Sequence, residues 1–183
     1  MHVATMTQIS LISISELLDN LPNGQTAQQV QKAYEFANRI HDGRKRESGE
    51  LYIEHDLAVT QTMSQLGVDT PTLIASMLHD SLLPHTGQTV ETIRHHFGEE
   101  PAALIEGLEH LYEYASEAQY QKLRDPKADR KTLEGVRRAV LAIIEVDIRV
   151  ILIRMADCLQ DLRKASNLPP EQRTIIANEA MNV

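Results

Sequence analysis

The chain has 183 residues, 42% of them apolar and 24% charged, which is the material of one globular domain with a real core. A net charge of −8 argues against generic DNA or RNA binding through a basic surface, and the apolar stretches are too short to cross a bilayer. A lone cysteine, Cys158, excludes an internal disulfide, and with no basic-then-apolar leader at the start it points to a reducing, cytoplasmic setting.

Met1 to Leu11 carries no strong period and reads as a loosely docked end. Ser15 is placed to cap a short helix through Leu21, which Pro22-Asn23-Gly24 stops. Thr26 is placed to cap a longer helix, with Val30, Ala33, Tyr34, Ala37 and Ile40 at helical spacing, ending near His41. The polar loop from Gly43 to Tyr52 carries Arg44-Lys45-Arg46 and Ser48-Gly49, and such loops on a helical scaffold are where function concentrates. A helix from about Glu54 to Leu66 follows and stops at Gly67; Thr70 is placed to cap the next, with Pro71 at its first position, and that helix runs to His79-Asp80.

Ser81 to Gln88 reads as a loop broken by Pro84 and Gly87, and Thr89 caps a helix to Phe97 ended by Gly98. Pro101 begins another helix, and the polar stretch from Ala115 to Asp129 is expected to be mobile. Helix resumes near Lys131. The next, from Asp147 to Lys164, is apolar on nearly every face of its first half and is expected to be the central buried helix. A last pattern runs from Glu171 to Met181 with no stop signal, so the chain reads as a single domain over 1–183 and as a fragment of a longer protein. With no strand alternation or repeat, the expected fold is all-α.

Chemistry gathers at three places. His79-Asp80 closes the apolar run Leu73 to Leu78, and adjacent helical residues point about 100° apart, so the pair can share an ion only where the helix end faces a cavity. His55 opens another helix. Asp157 sits within the run Val150 to Ala156, where a carboxylate is costly unless paired, hydrogen-bonded or bound to metal.

The set His…His-Asp…Asp resembles the ligand signature of the HD phosphohydrolase superfamily. The chain further resembles the N-terminal hydrolase domain of the Rel/SpoT alarmone synthetase/hydrolase family. The similarity is carried by His41-Asp42-Gly43, by Arg46 and Ser48-Gly49-Glu50-Leu51-Tyr52-Ile53-Glu54-His55, by Leu78-His79-Asp80 and by Asp147 to Asp157. The resemblance implies an HD-domain helical bundle that removes the 3′-pyrophosphate of ppGpp, giving GDP and pyrophosphate, with one divalent ion, usually manganese. It makes His55, His79, Asp80 and Asp157 the ligands, Arg46 the residue stacking on the base, and Ser48 and Asp161 neighbours in the nucleotide pocket.

Departures from the family pattern bear on activity. Family members carry a water-activating Glu-Asp pair just after His-Asp; here Ser81-Leu82-Leu83-Pro84-His85-Thr86 holds neither acid, and His85 is the one titratable replacement. Glu47 stands for a lysine, Asp161 for an asparagine, and Glu109-His110 for Thr-Lys. Two functions are therefore expected to compete: a metal-dependent phosphohydrolase on a guanosine polyphosphate or related nucleotide, and a degenerate metal- and nucleotide-binding regulatory domain beside a C-terminal synthetase domain.

Overall fold

The computed structural model describes residues 13–46, 48–124 and 147–165, with 135, 169, 170, 173 and 174 besides. The described residues form seven helices and no strand: α1 Ile14–Asp19, α2 Gly24–His41, α3 Tyr52–Gln65, α4 Thr70–Met77, α5 Val90–Phe97, α6 Glu99–Arg124 and α7 Ile148–Ala165. The fold is all-α, as the patterning predicts. The Met1–Leu11 end, Glu47, the segment after Arg124 with the helix expected from Lys131, and most of the pattern from Glu171 lie outside the described residues.

Helices α1, α2, α4 and α5 start where a side chain accepts an orphan backbone N–H, and three of these starts differ from expectation. Ser13, not Ser15, caps α1, and Glu16 closes the capping box by accepting from the Ser13 N–H at 2.7 Å. Asn23 caps α2 by accepting from the Thr26 N–H at 2.8 Å. Thr26 is instead buried, its hydroxyl 2.8 Å from that of Thr70. Asp69 caps α4, and Pro71 falls in its first turn, where a missing N–H costs nothing. Thr89 and Gly98 bound α5 as expected.

The core is organised around α4, which touches α2, α3, α6 and α7. Every residue from Thr72 to Met77 is buried. The small polar side chains in this run suit that setting, because the Ser76 hydroxyl donates to the Leu73 carbonyl at 2.8 Å and the Thr72 hydroxyl donates to Asp69 Oδ1. This corrects the expectation that the last apolar helix is the central one. α7 buries Val150, Ile151, Ile153 and Ala156 on one side, while Met155, Leu159 and Leu162 lie on its exposed side. The 115–124 part of the polar stretch expected to be mobile continues α6 to Arg124.

Helices α6 and α7 meet closely at Gly107. A Cβ there would lie 2.8 Å from Val150 Cγ2, so only glycine fits without displacement. This approach brings Tyr112 on α6 to the side chains of α7. Arg149 ties the helix starts together, donating to Asp69 at 2.7 Å and to Glu100 at 3.0 Å. No helix among the described residues is long and apolar enough to cross a membrane.

Candidate metal centre

Four segments converge where α3, α4 and α7 meet. The loop after α2 is closed by the Lys45–Leu51 bridge, with the Arg46 N–H donating to the Glu50 carbonyl at 2.8 Å. That tight turn fixes Arg46 and Glu50 beside the first turn of α3, which carries His55. α4 ends at Met77 with Leu78 as its cap, one turn earlier than the spacing predicts. His79 and Asp80 therefore lie in the turn beyond the helix, which frees them from the 100° divergence of adjacent helical residues. His79 Nε2 and Asp80 Oδ1 are 3.6 Å apart.

Asp157 closes the set from α7. Its Oδ1 lies 3.0 Å from His55 Nε2 and 3.8 Å from His79 Nε2. Donor atoms of His55, His79 and Asp80 fall within 4.8 Å of one another, as do those of His55, Asp157 and Asp161. His55, His79 and Asp157 are buried. The four side chains that the family resemblance gives as ligands are thus brought together, and Asp161 joins them from the next turn of α7.

The orientation of His79 fits a cation. Its Nδ1 lies 2.9 Å from the Ser76 carbonyl, so that nitrogen carries the proton and donates. The tautomer leaves a lone pair on Nε2, which is buried without a hydrogen-bond partner. A buried nitrogen without a partner is costly unless something else takes its lone pair, and two imidazoles with two carboxylates suit a divalent ion of hard or borderline character.

Each carboxylate has one oxygen held away from this cluster. Asp80 Oδ2 accepts from Arg46 at 2.7 Å. Asp157 Oδ2 accepts from Arg154 at 2.6 Å and from the Tyr112 hydroxyl at 2.9 Å. Burial alone would raise both acids, but neighbouring partners overcome it: Arg46 holds Asp80 below the usual carboxylate range, while the hydrogen bond from His55 and the charge of Arg154 hold Asp157 well below it. Burial also opposes charge on His55, yet hydrogen bonds to Asp157 and Glu50 push it up to about 10.

Arg46 is half-buried and doubly paired, to Asp80 and, at 2.9 Å, to Asp161. Its guanidinium also lies 5.7 Å from the centre of the Tyr52 ring. Ser48 sits on the same loop, 3.4 Å from Glu50 Oε1. His85 is brought to His41, with its Nε2 3.1 Å from His41 Nδ1 and its ring 4.9 Å from that of Tyr52. From His41 the polar contacts continue through Asp56, 3.4 Å away, to His79 Nδ1, 3.6 Å further.

Several of these residues escaped the sequence reading. Asp56 follows His55 directly and is fully buried, and burial holds it protonated to higher pH than usual. Arg154, a charge inside an apolar run three residues before Asp157, carried a signal of the same kind as Asp157 itself. Tyr112 carried none, and Glu50 stood only within the family motif, since their contacts depend on helix packing and loop closure.

An all-α bundle with clustered His and Asp side chains at the end of a buried helix defines a candidate metallohydrolase-type site. The model of the HD domain family matches residues 33–183, and the chain belongs to that family. Within it the similarity is to Rel/SpoT proteins. The chain is 36% identical over 180 residues to a guanosine-3′,5′-bis(diphosphate) 3′-pyrophosphohydrolase of Aquifex aeolicus, covering 97% of this chain and 24% of that protein. It is 34% identical over 172 residues to the bifunctional (p)ppGpp synthase/hydrolase SpoT of Escherichia coli, covering 93% and 23%. A probable GTP pyrophosphokinase of Mycobacterium leprae is 34% identical over 160 residues, covering 84% and 18%. The chain therefore spans about a quarter or less of the length of these relatives.

Proposed function

We propose that this domain is a metal-dependent phosphohydrolase that takes ppGpp or a related guanosine polyphosphate to GDP and pyrophosphate, slowed by the loss of the Glu-Asp pair. The observation that carries the reading is the convergence of His55, His79, Asp80 and Asp157, with the outer oxygen of each carboxylate tied to an arginine. These four would hold one ion, taken as manganese, which when bound supplies the positive charge that polarises phosphate and water. Arg46 stacks on the guanine base, a role planar guanidinium fills better than ammonium. Ser48 and Asp161 border the same pocket.

His85, the titratable side chain of the 81–86 loop, takes the proton from the attacking water only where the loop brings it within about 3 Å of that water; its Nε2 lies 3.1 Å from His41 Nδ1. Its pKa is lowered by burial and by His41 and Arg44, which leaves it neutral and able to accept a proton at neutral pH. A positioned general base contributes roughly 10²–10⁴-fold, so with the Glu-Asp pair missing hydrolysis is expected to be slow. Pyrophosphate release with manganese, compared among wild type, His85→Ala and Asp157→Ala, tests this. Slow turnover lost in both variants supports the assignment. Turnover lost only in Asp157→Ala removes His85 from the mechanism.

A second reading is a catalytically degenerate regulatory domain that binds metal and nucleotide beside a synthetase domain. The missing acidic pair favours it, as does the tethering of Arg46 to Asp80 and Asp161. Metal-dependent nucleotide binding without pyrophosphate release would select it.

A further inference from the structure

The two oxygens of Asp157 have different surroundings. Oδ1 faces His55 and His79. Oδ2 receives two donors from two helices: Arg154 Nη1 from one turn back on α7 and the Tyr112 hydroxyl from α6. The donors also brace each other, because the Arg154 guanidinium lies 4.8 Å from the centre of the Tyr112 ring. Arg154 and Asp157 are both buried, so water does not substitute for either donor at little cost.

Resting on the metal reading above, we propose that Tyr112 and Arg154 are positioning residues that form a clamp on Asp157, committing it to offer a single oxygen, Oδ1, to the ion. A free carboxylate can bind a cation through one oxygen or through both. With two donors on Oδ2, one of them charged, turning that oxygen inward would break two hydrogen bonds in a buried setting. Arg46 constrains Asp80 in the same sense, through Asp80 Oδ2. Two imidazoles and two single-oxygen carboxylates would make four protein ligands and leave the ion open to oxygens of water and substrate.

The clamp is built across the α6–α7 contact, so its geometry depends on the close approach at Gly107. Tyr112 reaches Asp157 only because no side chain separates the helices one and a half turns earlier. Neither residue touches a nucleotide in this account; both act through Asp157.

The test is manganese binding to the intact chain by titration calorimetry, with the electron paramagnetic resonance spectrum of the bound ion as a readout of its ligand field. Tyr112→Phe removes one hydroxyl and keeps the ring. Because Arg154 still pairs with Asp157 Oδ2, this variant is expected to lower the thermal midpoint of the metal-free protein less than Arg154→Met does, while weakening manganese binding on the order of 10-fold and changing the spectrum. Arg154→Met is expected to weaken binding up to about 100-fold, and Arg154→Lys to recover part of that loss. Unchanged affinity and spectrum in Tyr112→Phe and Arg154→Met would overturn the clamp while leaving the metal reading intact. Absence of manganese binding by the wild-type chain would overturn the metal reading and the clamp with it.

Discussion

His55 is the residue whose protonation most directly reports the state of the centre. Its pKa is raised from 6.5 to about 10 in the metal-free protein. A group raised on folding stabilises the fold fully below its unfolded value and loses that contribution as pH rises through the folded value. Metal-free stability is therefore expected to fall between about pH 6.5 and 10, and His55→Asn to flatten that fall, as read by urea midpoints across the window. Because a ligating imidazole must be neutral, metal uptake near neutral pH is expected to release a proton, detectable as a buffer-dependent heat of binding. Arg46 gives a second prediction. Arg46→Ala is expected to weaken nucleotide binding, whereas Asp161→Asn removes a negative charge beside a polyanion and is expected to strengthen it, by roughly 10-fold at most. Equal nucleotide affinity in Arg46→Ala and wild type would remove Arg46 from the base site. At this scale the cluster was legible in the sequence because Asp157 in an apolar run and His55 opening a helix needed partners. Asp56 and Tyr112 were not legible, and His41 only as part of the family motif, since their contacts arise only when separate elements pack.

Helix starts show what sequence pattern can and cannot locate. Ser15, Thr26 and Thr70 are all good capping residues, yet Ser13, Asn23 and Asp69 do the capping. Several adjacent residues can cap, and packing of the helix body selects the start. Burial was misassigned for a related reason: α7 is rich in apolar residues but lies at one side of the bundle, while the eight-residue α4 is enclosed by four helices. Periodicity reports what a helix can bury, and the number of neighbours decides what it does bury. The α6–α7 contact gives the prediction for this scale. Gly107→Ala would place a methyl 2.8 Å from Val150 Cγ2. Overpacking of this kind typically costs about 1–3 kcal/mol, enough to outweigh the gain of roughly 1 kcal/mol in helix propensity. Chemical denaturation is expected to show net destabilisation, relieved in Gly107→Ala/Val150→Ala.

For the molecule as a whole, the centre ties together parts of the chain that are far apart in sequence. His55 and Asp157 are separated by 102 positions and Arg46 and Asp161 by 115. An ion bound there recognises only the folded state. Manganese at 100 times its dissociation constant is expected to stabilise the protein by about 2.7 kcal/mol, a shift in thermal midpoint that Asp157→Ala should abolish. The same separation sets an order of events during synthesis. At about 5–20 residues per second, the ribosome needs roughly 5–20 seconds after making His55 before Asp157 exists. Once His79 and Asp80 have been made the nascent chain has two imidazoles and one carboxylate of the set, so the four proposed ligands can close on an ion only after Asp157 is synthesised.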